Sequence, residues 1–165
     1  QEIKDILVSL QAIDKTGKVL TIPINKIKFD YRFNDLSDNL IFLSASFKGK
    51  KENSKKIKEK MLKLKFEKEK NQPTKIKTGG STFKNPKNQT DKKVWELIKE
   101  SVPPDISFGD ACISKKHLNF FVNKGNAKFI EMKRLIDFVT QRVLKKTGIS
   151  IEKEIKIIEN WKKKF

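Results

Sequence analysis

Apolar and polar residues alternate along the first fifty positions of this chain. Val8, Leu10 and Ala12 fall on one face of a strand, Asp14-Lys15-Thr16-Gly17 supplies turn chemistry, and Val19-Leu20-Thr21-Ile22 leads back, which predicts a hairpin. Ile41, Leu43, Ala45 and Phe47 predict a third strand, and Lys28 to Asn34 an irregular crossing before it. The period then changes. From Glu52 to about Lys70 the residues Ile57, Met61 and Leu64 follow helical spacing. Asn71-Gln72-Pro73 ends this helix, because the residue before a proline is driven out of the helical region, and a second domain is expected to begin there.

The second half reads as mixed helix and strand. Val94, Leu97 and Ile98 mark one side of a short helix over Asp91 to Ser101, stopped by Pro103-Pro104. Ala111 to Ser114 and Leu118 to Asn123 predict short strands, and Met132, Leu135, Ile136, Val139 and Val143 a helix over Lys128 to Lys146 with Gly148 placed to end it. Ile151 to Ile158 predicts a last strand with Ile151, Ile155 and Ile157 on one face and Glu152, Glu154 and Lys156 on the other. Without internal repeats, the expected class is α+β.

Composition narrows the function classes. The 165 residues suffice for one ordinary domain or one small domain and part of another. No apolar run nears the roughly 20 residues of a membrane helix, and no signal peptide is visible at the start. A cytoplasmic protein without membrane partner is therefore expected. Cys112 is the sole cysteine, which excludes an internal disulfide and leaves no paired zinc spacing; it is expected as a small core residue, and no metal site is expected. The net charge of +18 suggests nucleic acid at first sight. Against it, only Arg32, Arg134 and Arg142 are arginine among 38 basic residues, and Phe47, Phe121 and Phe138 fall at core-patterned positions instead of forming a stacking platform. Scattered lysine on a solvated surface is the expected origin of the charge, and a lysine-rich nucleic-acid-binding module remains the rival reading.

GGSTFKNP, residues 79 to 86, is the stretch that asks for chemistry. A phosphate loop would need glycine before the lysine, a hydroxyl residue after it and an apolar strand leading in; Phe83, Asn85 and Lys75-Ile76-Lys77 stand there instead. A nucleophilic serine needs a base, and His117, the only histidine, has no partner identifiable in sequence. A serine acting as an acid needs cations and donors that stabilise the anion it quenches. Arg32, Ser81 and Glu154 would make such a set, although sequence alone does not assemble it.

These segments, taken in order, resemble a known family. GSTFKNP, the helix with WELI, GDACISKKHLNFFVNKGNAK, the helix ending at Gly148 and ISIEKEIKII, with the YR of DYRFN and the QP before the glycines, resemble the C-terminal half of UDP-N-acetylenolpyruvoylglucosamine reductase, the MurB flavoenzyme of peptidoglycan synthesis. The resemblance runs from about residue 3 to 158. It implies a cytoplasmic oxidoreductase in which FAD, reduced by NADPH, passes a hydride to the enolpyruvyl group of a UDP-sugar. By the same resemblance Ser81 protonates the resulting enolate, while Arg32 and Glu154 orient and stabilise the carboxylate and its aci form. Asn85 falls on a substrate-binding asparagine, Tyr31 and Lys84 flank these positions in the substrate site, and His117 and Asn119 are placed near the sugar nucleotide. The intervals between Arg32, Ser81 and Glu154 leave no room for the tyrosine-bearing insertion of longer members, so the shorter, type II form is the closer match. Phe33-Asn34 after the YR pair, Val102-Pro103-Pro104 and Gly109-Asp110 depart from the family pattern.

The glycine-rich segments that hold the flavin diphosphate in that family have no counterpart here. The chain is thus expected to comprise the end of a flavin-binding α+β domain (residues 1–50), a connecting helix (51–70), a small α+β substrate-binding domain of antiparallel strands packed with helices (71–158) and a tail (159–165). A monomer is expected, as is a fragment that neither retains FAD nor turns over alone.

Overall fold

The computed structural model describes residues 2–158. The chain divides into two compact units, Gln1–Lys58 and Glu59–Phe165. The segment expected as a tail, 159–165, lies outside the described residues.

In the first unit β1 (Leu7–Ile13) and β2 (Val19–Pro23) form the expected hairpin. Its turn is built by Asp14, whose Oδ1 accepts from the Thr16 backbone (2.8 Å), the Thr16 hydroxyl (2.6 Å) and the Lys18 backbone (3.1 Å), with Gly17 at φ +84°. A strand over Ile41–Phe47, β5, pairs with the other side of β1, so the sheet order is β2-β1-β5. Two register shifts along this pairing break the simple alternation. As a result Leu7 and Ala12 are buried, and Val8, expected on the same face as Ala12, is exposed. Every residue of β5 is exposed. Phe47, expected in a core, is 55% exposed, because nothing among the described residues of this unit covers its side of the edge strand.

The expected irregular crossing is a miniature hairpin. Strands β3 (Phe29–Asp30) and β4 (Phe33–Asn34) pair antiparallel, with Tyr31 and Arg32 at the tip. Helix α1 (Ser54–Asn71) forms where its period predicted, yet buries none of its residues. At 100° per residue Leu62 and Phe66 fall opposite the Ile57, Met61 and Leu64 stripe, which leaves no single apolar face to cover.

The second unit holds the main core. Its four-stranded antiparallel sheet has the order β6-β9-β8-β7, formed by Lys77–Ser81 (β6), Ser107–Phe108 (β7), Ala111–Ile113 (β8) and Phe120–Asn123 (β9). Helices α2 (Val94–Ser101) and α3 (Phe129–Thr147) pack on one another, and α3 also on β7 and β8. The expected stripes are the buried ones: Val94, Leu97 and Ile98 from α2, and Leu135, Ile136, Val139 and Val143 from α3, meet Phe83, Phe121 and Ile151. Cys112 is buried, as expected of a small core residue. Gly148 ends α3 at φ +72°, and its N–H returns to the Leu144 carbonyl.

One expectation changes in kind. Ile151 to Ile158 is an extended segment with a single antiparallel bridge, Phe83 to Lys153, and not a strand of the sheet. The alternation was nonetheless informative: Ile151 is buried, and Ile155 and Ile157 pack at the edge of the core.

Candidate functional site

The GGSTFKNP stretch begins with a deformation of β6. Thr78 stands opposite Val122 and Ser81 opposite Phe120, so three steps on one strand match two on the other. Gly80 absorbs the extra residue at φ +84°, a backbone conformation that side chains disfavour. The Thr78 hydroxyl holds the bulge: it accepts from the Gly80 N–H at 3.2 Å and donates to the Phe121 carbonyl at 2.7 Å. A bulge re-aims the next side chain, which here is that of Ser81.

Burial is greatest at the centre of the motif. Thr82 and Phe83 are buried at 2% and 1% exposure, whereas Ser81, Lys84 and Asn85 are half-buried. Phe83 is the anchor, set edge to face against Phe121 with ring centroids 5.7 Å apart. Lys84 and Asn85, which follow it, are thereby held at the surface. Asn85 turns its Oδ1 to the Val94 N–H at 3.0 Å, and Glu96 accepts from the Lys93 N–H at 2.7 Å, so the start of α2 is satisfied from both sides.

The terminal segment lies along this turn. Glu154 donates its N–H to the Thr82 carbonyl (2.8 Å), and Lys84 donates its N–H to the Glu152 carbonyl (2.8 Å). Above the same bridge the Lys84 ammonium meets the Glu152 carboxylate at 2.6 Å. A Cβ placed on Gly79 would sit 3.6 Å from Ile155 Cγ2. The structure therefore brings the backbone of Glu154 to the residue that follows Ser81, although the two positions are 73 residues apart in sequence (154 − 81).

His117 and Asn119 lie in the turn that precedes β9. His117 is half-buried against Phe120, with ring centroids 4.8 Å apart, and its Nδ1 accepts the Asn119 N–H at 3.2 Å. Burial holds its pKa below the ordinary 6.5. Nδ1 as acceptor and a depressed pKa together fix a neutral ring with its proton on Nε2. Asn119 is held by backbone. It is 5% exposed and spends its amide on the Phe83 backbone, accepting the Phe83 N–H at 2.9 Å and donating to the Phe83 carbonyl at 2.8 Å.

Tyr31 and Arg32 belong to the first unit. Arg32 occupies the left-handed region at φ +55°, and its guanidinium lies over the Tyr31 ring, 5.3 Å from the centroid. A non-glycine residue in that conformation is uncommon, and a two-residue hairpin tip is a place that calls for it.

Sequence reasoning missed Gln89. Its amide accepts the Ser150 N–H at 3.0 Å and donates to the Ser150 carbonyl at 2.8 Å, fixing the start of the segment that carries Glu154. Nothing in the local sequence distinguishes a glutamine that makes such a contact 61 residues away. Asn85, Lys87, Thr90, Asp91, Lys92 and Lys93 also line one shallow polar cleft on this unit.

The first unit offers little to the flavin that the resemblance implies. Its glycines are Gly17, used by the hairpin turn, and Gly49, with no atom close enough to require a glycine. Single glycines do not make a diphosphate cradle. The described residues of this unit do not by themselves fit that group.

Comparisons with known proteins bear on the same elements. The C-terminal domain family of UDP-N-acetylenolpyruvoylglucosamine reductase matches residues 72–158. A protein of Pelagibacter ubique named UDP-N-acetylenolpyruvoylglucosamine reductase is 65% identical over 159 residues, 96% of this chain and 53% of the relative. One from Rickettsia bellii with the same name is 43% identical over 157 residues, 95% of this chain and 51% of the relative. The crystal structure of that reductase from Thermus caldophilus superposes with a TM-score of 0.72 at 26% identity, covering 92% of this chain and 53% of the other. The chain thus spans about half the length of the relatives it matches.

Proposed function

Because the chain belongs to the UDP-N-acetylenolpyruvoylglucosamine reductase family, matched through that family's C-terminal domain, we propose that it forms the substrate side of such a reductase. The activity is reduction of UDP-N-acetylenolpyruvoylglucosamine to UDP-N-acetylmuramate, a cytoplasmic step of peptidoglycan synthesis, carried out by a monomer. Reductases of this family use FAD and NADPH, which are assigned to the whole enzyme.

The proton is what this chain's residues deliver. Once the enolpyruvyl methylene carbon has taken a hydride, negative charge develops on the carbon next to the carboxylate and spreads into an aci form. The Ser81 hydroxyl donates a proton to that carbon, the saturated ether results, and the serine oxygen regains a proton from water. A hydroxyl is a weak acid, so the step requires groups that hold the carboxylate and its aci form. Glu154 is assigned to that task on the segment bonded to Thr82, the residue after Ser81. For Arg32 the role of bidentate carboxylate partner, with Tyr31 beneath it, rests on the resemblance of the Tyr-Arg pair. Asn85, Lys84 and His117 are assigned to substrate binding. The lysines around Asn85 suit an anionic diphosphate by charge.

The observation that supports this reading is the bond from the Glu154 N–H to the Thr82 carbonyl, which brings the backbone of Glu154 to the residue after Ser81. Its test is a reductase completed by joining this chain to the preceding half of the Pelagibacter ubique relative. Consumption of NADPH that depends on the UDP-enolpyruvyl sugar, with UDP-N-acetylmuramate detected by mass, is expected. NADPH consumption with no such product would overturn the reading, and tight binding of generic duplex DNA at physiological salt would favour the lysine-rich nucleic-acid module instead.

A further inference from the structure

The turn that carries Ser81 is held by a clamp for which the proposed chemistry has no direct use. Thr82 donates its N–H to the Asn119 carbonyl at 2.8 Å. Phe83 donates its N–H to Asn119 Oδ1 at 2.9 Å, and Asn119 Nδ2 donates to the Phe83 carbonyl at 2.8 Å. Three hydrogen bonds with one residue therefore fix the three successive peptides that follow Ser81. On the other side of the turn the Thr82 carbonyl receives the Glu154 N–H. The segment 82–83 is thus gripped between Asn119 and the extended segment of Glu154.

This geometry limits what Asn119 can do. Its side chain is buried, and both ends of the amide are engaged by backbone. A planar amide that accepts from an N–H and donates to the carbonyl of the same residue matches that residue's two polar groups, and a side chain of another shape leaves a buried group unpaired. The turn also needs outside support. Its lead-in is a bulge with Gly80 in the left-handed region, so the ladder of β6 and β9 is interrupted where Ser81 must be aimed.

We propose that Asn119 is a positioning residue for proton donation: it holds the Thr82-Phe83 backbone so that Ser81 and Glu154 keep a fixed relation, and it does not bind the sugar nucleotide. The proposal rests on the assignment of Ser81 as proton donor. It goes beyond that assignment, because it gives the reaction a dependence on a residue that does not touch substrate. A donor displaced by about 1 Å can lose on the order of 100-fold in rate.

The test uses the completed reductase with Asn119→Ala, Asn119→Asp and Ser81→Ala, following flavin reduction by NADPH and flavin reoxidation by the enolpyruvyl substrate separately. For Asn119→Ala, reoxidation should slow by roughly 10- to 100-fold, with KM for the UDP-sugar changed by less than about threefold and flavin reduction unaltered. Asn119→Asp supplies a signature that a purely structural contact elsewhere lacks. The neutral carboxyl can accept from the Phe83 N–H and donate to the Phe83 carbonyl, whereas the ionised form faces that carbonyl with like charge. Its reoxidation rate relative to the unsubstituted enzyme should therefore recover as pH is lowered from about 8 to about 5.5. A raised KM with unchanged turnover would make Asn119 a substrate contact and overturn the proposal. Equal loss in both half-reactions would reduce it to a fold residue and overturn it too. Impairment by Ser81→Ala with a normal Asn119→Ala enzyme would sink the positioning role alone, while a normal Ser81→Ala enzyme would sink the assignment of Ser81 and the clamp's role with it.

Discussion

Glu154 donates its backbone N–H to the carbonyl of Thr82 across 2.8 Å, so the residue after Ser81 is bonded to a carboxylate-bearing position on a separate segment. That bond fixes backbone, and backbone position is what decides whether a short hydroxyl such as that of Ser81 can be aimed at a carbon atom.

Replacing Ser81 by alanine tests the donor directly. In the completed reductase, flavin reduction by NADPH should persist and product formation should fall by roughly 100- to 10,000-fold, the range for loss of a general acid. Stopped-flow flavin absorbance separates the two steps, and equal loss of both would argue against Ser81 as the donor.

Gly80 and Gly79 should respond differently to the same substitution. Gly80→Ala forces a side chain into φ +84° and should lower stability by about 1 kcal/mol while impairing turnover through the bulge. Gly79→Ala meets only an ordinary contact, 3.6 Å from Ile155, and should be tolerated. Thermal melting with turnover measured on both variants checks this; equal effects would mean that the bulge does not depend on Gly80.

Leu97 lies fully buried between the helices and the sheet. Leu97→Ala should destabilise by about 2–5 kcal/mol through lost burial and the cavity left behind. Urea unfolding of the 165-residue chain measures it, and a change within a few tenths of a kcal/mol would contradict the core described above.

The pH dependence of stability should carry a His117 component of definite sign. Its folded pKa is depressed by burial below 6.5, so the unfolded chain binds the proton more readily. The contribution is complete above pH 6.5, declines as pH falls from there towards the folded value, and is constant beneath it. Urea midpoints for the chain and for His117→Gln at about pH 7.5 and about pH 5.5 should show the difference between them shifting against the histidine protein on acidification. Protonation of Nδ1 would also cost the bond from the Asn119 N–H.

Much of the second unit was legible because its signals are local. The α2 and α3 stripes at helical spacing are the buried faces, and Pro103 and Gly148 stop the helices through their own backbone preferences. The first unit was legible only in outline. Strand periods there were right, yet two register shifts moved Leu7 and Ala12 to the buried positions and left Val8 exposed, and a phase shift of that kind depends on the partner strand. The stripe of α1 shows the same limit: spacing makes a helix, and only a partner makes a buried face.

By itself, the sequence determined the α+β class, the helices and the inward faces of α2 and α3, the turn chemistry of Asp14 and Gly17, and the singularity of GGSTFKNP, since each follows from torsional preference and periodicity within a few residues. Tertiary structure decided the rest. It put Glu154 beside the Ser81 turn, made Phe83 the anchor of the motif, and bonded the Asn119 amide to the Phe83 backbone. These are contacts between residues tens of positions apart, and what selects them is the requirement that every buried peptide group find a partner across the packed sheet.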